Sequence, residues 1–264
     1  MSSILDSGKQ YHINTTKGDV GKYVILCGDP GRVPEIAKHF ENAEQISYNR
    51  EYNVYTGYLK GVKVSAVSTG IGGPSAAIAV EELIKCGCHT FIRVGTSGGI
   101  KESVAGGDIV IASAAVRSEG TSKEYLPEEY PAVADFEVVS ALKNAAQKLC
   151  SGEEYDSYHV GVVHSKDSFY GETNPEEMPV DYMLLNKWNA YVKAGCLTSE
   201  MECSAIFSVA LTRNVRAGAV LSVLWNVERS KKNLPDKINH STEKAIMCAI
   251  DAIKTLIEQE KNRL

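Results

Sequence analysis

Runs of apolar, β-branched residues alternate along this chain with stretches of helical period, and that alternation narrows the choice of fold more than any other feature. The runs are YVILC (23–27), VKVSAVS (62–68), TFIRVG (90–95), DIVIASAAV (108–116), HVGVVHS (159–165) and AGAVLSVLW (217–225). Apolar residues at helical spacing fill SAAIAVEELIKCG (75–87), VVSALKNAAQKL (138–149), MECSAIFSVALTR (201–213) and STEKAIMCAIDAIKTLIEQEK (241–261). Strands alternating with helices, with no internal repeat or low-complexity linker, predict a single α/β domain over residues 1–264: a mixed central β-sheet flanked by helices. In such sheets ligands collect beyond the carboxyl ends of the strands, on the loops. The segment GETNPEEMPVDY (171–182), rich in Pro, Gly and acids, reads as a loop able to act as a lid.

Composition bounds the partners. A net charge of -5 gives no reason to expect nucleic acid or an anionic membrane, so any anion the protein binds must be held by a local site. The first residues, MSSILDSGKQ, lack a basic start followed by an apolar stretch, and no apolar run approaches the roughly 20 residues that cross a bilayer. The seven cysteines (27, 86, 88, 150, 196, 203 and 248) are an odd number set mostly in apolar segments, as buried thiols of a reducing compartment would be. These features predict a cytoplasmic protein. Cys86-x-Cys88 lacks the second pair that a zinc site needs, and it is no basis for expecting a metal.

Several strand ends carry polar or glycine-rich loops. YVILC runs into Gly28-Asp29-Pro30-Gly31-Arg32, and VKVSAVS into TGIGGPSAA, whose Pro74 suits the first turn of a helix. TFIRVG places Arg93 inside an otherwise apolar strand and leads to Thr96. An arginine buried in a strand is costly unless paired, so an anion is expected beside it. Main-chain N–H groups at the glycine turns and the Thr96 hydroxyl complete a phosphate-sized cradle. The plainer alternative is that Arg32 caps a carboxylate and Arg93 makes a structural ion pair. In TSEMECSA (198–205), Glu200 and Glu202 flank Met201 at a helix entry. They suit the helix dipole, or one of them faces a pocket and accepts hydrogen bonds from the vicinal hydroxyls of a sugar. TGIGGPS lacks the glycine spacing of a dinucleotide site, and no Gly-Lys-Ser/Thr of an ATP loop is present. The phosphate is therefore expected as a free ion or a small ester.

GDPGRV, Arg50 in SYNREY, STGIGGPSAAIAVEEL, FIRVGTSGG, PAVADFE, KDSFYG and SEMECSA follow one another in this order over nearly the whole chain. Together they resemble the nucleoside phosphorylase family, closest to its bacterial-type uridine phosphorylases. The resemblance implies a pentosyltransferase in nucleoside salvage. Inorganic phosphate attacks C1′ of a ribonucleoside, most closely uridine, to give ribose 1-phosphate and free base, with no cofactor and no catalytic metal. It implies that Gly28, Arg32, Arg93 and Thr96 bind the phosphate, while Arg50 reaches the phosphate of a neighbouring subunit. Met201 and Glu202 match the ribose-binding pair, with Glu202 accepting from the 2′ and 3′ hydroxyls. His12 matches the histidine that covers the 5′-hydroxyl of the adjoining subunit, and Phe169 resembles the aromatic that packs on the base. Arg32, Arg93, Thr96 and Glu202 are the expected catalytic residues. Because sites of this family are completed by a partner chain, a homodimer is the minimal active unit and a homohexamer the expected assembly.

The base loop departs from that pattern. Where uridine phosphorylases of this type have a glutamine and an arginine, FYGETNPEEMP sets Glu172 at the glutamine position, and the arginine position falls on Glu177 or a neighbour. A carboxylate accepts from N3–H of uracil but repels O2, and Arg229 in WNVERSKKN is the candidate donor to replace the arginine. A glutamate also suits guanine or hypoxanthine, which makes a purine nucleoside the rival substrate. Against this, the loop after VLSVLW begins with Asn226 and lacks the aspartate with which purine phosphorylases protonate N7. The plain alternative for Glu172 and Glu177 is a solvated acidic loop.

Overall fold

Most strands read from the sequence are covered on both faces, as their near-continuous apolar character requires; in HVGVVHS, Val160 and Val162 are exposed. The computed structural model describes residues 8–151 and 157–263. Its sheet contains β1 (Tyr23–Cys27), β2 (Glu41–Asn49), β3 (Tyr52–Leu59), β4 (Val62–Ser68), β5 (Thr90–Gly99), β6 (Ile109–Ser118), β7 (Ala132–Val133), β8 (Tyr158–Lys166), β9 (Thr198–Glu200) and β10 (Arg216–Asn226). The helices are α1 (Arg32–Ala37), α2 (Gly73–Lys85), α3 (Phe136–Leu149), α4 (Phe169–Thr173), α5 (Asp181–Ala194), α6 (Cys203–Thr212), α7 (Val227–Lys231) and α8 (Glu243–Lys261).

β1 shows the layering. Its five residues are all buried, and they alternate between two apolar clusters. Val24 and Leu26 face the cluster built by α2 and α6, with Ala76, Val80, Leu83, Ile206 and Phe207. Tyr23, Ile25 and Cys27 face the cluster built by α1, α3 and α8, with Val33, Ile36, Leu142, Ile246 and Ile253. A period of two on the strand thus feeds helices on either side of a single mixed sheet.

Parallel pairing joins β4, β1, β5 and β10, and the hairpin of β2 and β3 continues the sheet antiparallel beyond β4. On its other side the sheet curls: β10 pairs antiparallel with β6, β6 parallel with β8, β8 parallel with β9, and β9 antiparallel with β5. β5, β10, β6, β8 and β9 therefore form a closed ring. That closure carries the ends of β8 and β9 to the carboxyl end of β5.

Local signals set the helix starts. Asp135 accepts from the Val138 N–H at 3.0 Å and caps α3, and Ser168 accepts from the Gly171 N–H at 2.9 Å and caps α4. Pro74 lies in the first turn of α2, where a missing N–H costs nothing. The helix expected from Met201 begins two residues later, at Cys203, leaving Met201 and Glu202 on the approach to it. The segment 171–182 is not a loop throughout. It ends α4, makes a 3-10 turn over Pro175–Glu177 and starts α5, so no lid is visible as a separate loop. No helix among the described residues is long and apolar enough to cross a membrane.

Candidate active site

Residues at the carboxyl ends of β1, β5, β8, β9 and β10, with the loop after β4, line one cleft of about 650 Å³. Of the residues singled out in the sequence, Gly28, Arg32, Arg93, Thr96, Phe169, Glu172, Glu200, Met201 and Glu202 all face it. They come from four separate chain segments. The chemistry at the strand ends is thus gathered by topology rather than by proximity in sequence.

Arg93 is the centre of the arrangement. Its side chain is 5% exposed, its Nε donates to Glu200 Oε2 at 3.0 Å, and an Nη2 N–H pairs with Glu202 Oε2. The anion expected beside this arginine is, in the first place, two carboxylates of the chain itself. Gly95 makes room for it: a Cβ there would lie 2.7 Å from Arg93 Nη2 and 2.8 Å from Leu221 Cδ2. Burial disfavours the charge on Arg93, but Glu202 and Glu200 outweigh it and hold the guanidinium firmly ionised. Among the described residues no acceptor lies against its Nη1.

The two glutamates differ in their partners. Glu200 accepts from the backbone N–H groups of Glu202 at 2.9 Å and Cys203 at 3.0 Å, and from the Ser165 hydroxyl, so it caps the start of α6. Burial would raise it, but Arg93 and these donors hold its carboxyl below the usual range. Glu202 pairs with Arg93, accepts from the Gly72 N–H on Oε1 at 2.6 Å, and is lowered further by the Met201 main chain. Gly72 reaches it from a backbone with φ of 97°, a conformation a β-carbon would disfavour. Burial, reinforced by Glu200, pushes the Glu202 carboxyl up against the pull of Arg93. The pair therefore takes its first proton on Glu202. If ionised Glu202 is needed, the acid limb of kcat/KM lies above the ordinary glutamate value of about 4.3. A pH–rate profile checks this, and Glu202→Gln is expected to abolish that limb.

Arg32 differs from Arg93. It is half-buried at the start of α1, where its Nη1 reaches the Val94 carbonyl at a weak 3.5 Å. Among the described residues no carboxylate lies within ion-pair distance, so the capping alternative is not what the structure shows. Asp29, next to it on the same turn, is occupied in accepting from the Gly31 N–H at 2.8 Å.

His12 and Arg50 do not reach the cleft. Arg50 sits at the exposed tip of the β2–β3 hairpin with φ of 55°, strained for a non-glycine residue, and its guanidinium lies 5.8 Å from the Tyr11 ring centroid. Tyr11 in turn packs edge-on against His12 at 4.7 Å, and His12 Nδ1 meets Glu82 Oε1 at 2.7 Å. The two candidates thus share one patch away from their own chain's cleft.

The base end departs furthest from the expectations. Glu172 is no solvated residue: its side chain is 12% exposed, and Lys166 Nζ donates to Oε1 at 2.8 Å. On Oε2 it accepts from Ser199 Oγ at 2.6 Å and meets His164 Nδ1 at 3.1 Å. Burial opposes ionisation, but His164, Lys166 and Ser199 hold the carboxyl below its usual range. Glu177 behaves as the plain alternative has it, at the surface with Asn174 Nδ2 at 3.3 Å. Arg229 is a correction. Its guanidinium donates to the carbonyls of Pro235 and Glu102, 2.6 Å for the latter, and lies 3.8 Å from Asp236, so α7 holds it out of the cleft. The donor that sequence reasoning missed is Lys166, the last residue of β8, only 8% exposed and lining the cleft. A lysine closing an apolar strand as the first residue of KDSFYG was the available signal. Phe169 stands over this corner, with Lys166 Nζ 5.8 Å from its ring centroid. Asn226 is buried and fully engaged: it accepts from the Arg229 N–H at 2.9 Å and donates to the carbonyls of Lys101 at 2.8 Å and Val104 at 2.7 Å.

Two arginines and two buried carboxylates thus line one cleft beyond the strand ends. The chain belongs to the nucleoside phosphorylase family, its residues 22–258 matching the model of the phosphorylase superfamily. It is 49% identical over 263 residues to the uridine phosphorylase of Treponema pallidum (strain Nichols), covering 100% of both chains. It is 43% identical to the uridine phosphorylase of Thermococcus kodakarensis, over 98% of this chain and 91% of that one. It is also 38% identical to a guanosine phosphorylase of Halorubrum lacusprofundi, over 94% and 99%.

Proposed function

We propose that this protein is a uridine phosphorylase, in which orthophosphate attacks C1′ of uridine and releases uracil and ribose 1-phosphate. The observation that carries the reading is Arg32, a cationic side chain at the cleft beside Gly28 and Thr96 whose ordinary ion-pair partner is missing among the described residues. Glycosidic cleavage builds positive charge on the ribose ring, and a phosphate dianion fixed beneath C1′ stabilises that charge while waiting as nucleophile. Arg32, the free edge of Arg93, the Thr96 hydroxyl and the Gly28 main chain hold the ion. Glu202 accepts from the ribose hydroxyls beside Met201, and Phe169 covers the base. His12 and Arg50, displaced together onto a separate patch, complete the site of a second copy in a homodimer that assembles further to a hexamer. Neither a cofactor nor a metal enters this chemistry, and seven cysteines outside any disulfide support a cytoplasmic setting.

The guanosine phosphorylase among the relatives favours a second reading, a purine nucleoside substrate. The commitment of every polar atom of Asn226 to backbone argues against it, because no side chain at that strand end is left to protonate N7. Incubation with uridine, thymidine, inosine and guanosine, with and without phosphate, tests the proposal. Uracil release that requires phosphate is expected. Equal release without phosphate would make the protein a nucleosidase, and binding without turnover a nucleoside carrier.

A further inference from the structure

The cleft ends on a buried polar cluster that the phosphate and ribose chemistry leaves unused. Among the described residues the side chains of Lys166, Glu172, Ser199 and His164 hydrogen-bond only to one another, and they stand between the main cleft and a smaller cavity, lined in part by Tyr191 and Trp188. We propose that Lys166 and Glu172 act as one unit that reads the base, Lys166 donating to a ring carbonyl and Glu172 accepting from the N–H beside it. This inference rests on the nucleoside phosphorylase reading above and specifies the bases that the site takes.

Hydrogen-bond accounting shows what the unit accepts. Lys166 has three donors, of which two go to Glu172 Oε1 and Ser199 Oγ, each at 2.8 Å, so one remains. Ser199 Oγ accepts from Lys166 and gives its own proton to Glu172 Oε2 at 2.6 Å. His164 Nδ1 lies 3.1 Å from Oε2 and 3.2 Å from Ser199 Oγ, and the tautomer with its proton on Nδ1 fills the second lone pair of Oε2. Oε1 holds only Lys166 and keeps one lone pair. The unit therefore offers one donor and one acceptor side by side, the complement of a lactam edge with one C=O and one N–H. Uracil and thymine present that edge in O4 and N3–H, while O2, on the other side of N3–H, takes no donor from the unit and must turn away from the Glu172 carboxylate. Cytosine and adenine replace the N–H with a bare ring nitrogen, which would face the Glu172 carboxylate lone pair to lone pair. Guanine adds a second donor for which Oε1 has no lone pair left. A substrate whose polar edge leaves such groups unpaired is rejected far more strongly than one differing only in size.

The test is a cycle of enzyme variants against substrates. Wild type, Lys166→Met, Glu172→Gln and the double variant Lys166→Met/Glu172→Gln are assayed on uridine and cytidine at saturating phosphate. Thermal unfolding and the phosphate KM are followed in parallel. The double variant removes both charges together, so it leaves no unpaired ion to unfold the protein. In wild type, the uridine to cytidine ratio of kcat/KM is expected to exceed about 100. In the folded variants the ratio is expected to fall at least about tenfold, with the phosphate KM within about threefold of wild type. A ratio unchanged within about threefold in the folded double variant would overturn the inference. A wild type that releases no base from any nucleoside with phosphate would instead overturn the phosphorylase reading itself.

Discussion

Arg32→Ala is expected to lower kcat/KM by about 10²–10³-fold and to raise the phosphate KM, while the unfolding midpoint stays unchanged. The separation of the two effects follows from the surroundings of the side chain. Its one recorded bond is a 3.5 Å contact to the Val94 carbonyl, so its removal takes little from the fold. What it removes is a cation at the cleft, placed to position a nucleophile. Steady-state kinetics with phosphate as the varied substrate, run beside a thermal melt, check both halves.

Arg93→Met is expected to behave in the opposite way on stability and more severely on activity. The substitution leaves Glu200 and Glu202 buried without their cation, and breaking a buried pair in this way costs about 3–5 kcal/mol. It also frees Glu202 to shift, and Glu202 is the acceptor we propose for the ribose. Loss of about 10³-fold or more in kcat/KM is expected, together with a lowered urea midpoint. A variant with native stability would mean that the two carboxylates do not depend on Arg93.

The contrast between the arginines also shows where the sequence was legible. An arginine inside an apolar strand announces a buried anion, but its identity depends on which chain segments fold over it. Nothing in TFIRVG reveals that β9 closes a ring against β5 and delivers Glu200 and Glu202 to Arg93. The apolar strands were readable because both faces are buried. β2 was not, because its residues ENAEQISYN are half-exposed or exposed and show no apolar run. α5 escaped for a related reason: none of its residues is buried, so its apolar positions mark no core-facing stripe.

The base end was the least legible part. Glu172 and Glu177 look alike in FYGETNPEEMP, yet one turn of α4 directs the first against Lys166 and the following 3-10 turn carries the second to the surface. Arg229 was a reasonable donor by charge. The short helix α7, capped by Asn226, points it instead at the carbonyls of Glu102 and Pro235. Loop residues take their direction from caps and turns more than from their own chemistry.

A crystal soaked in orthophosphate puts the central claim to its most direct test. The ion is expected in the cleft within hydrogen-bond reach of the Arg32 guanidinium, Arg93 Nη1, Thr96 Oγ1 and the Gly28 N–H. Finding Arg32 still on the Val94 carbonyl, Arg93 bonded to Glu200 and Glu202 alone, and the ion bound elsewhere would contradict it.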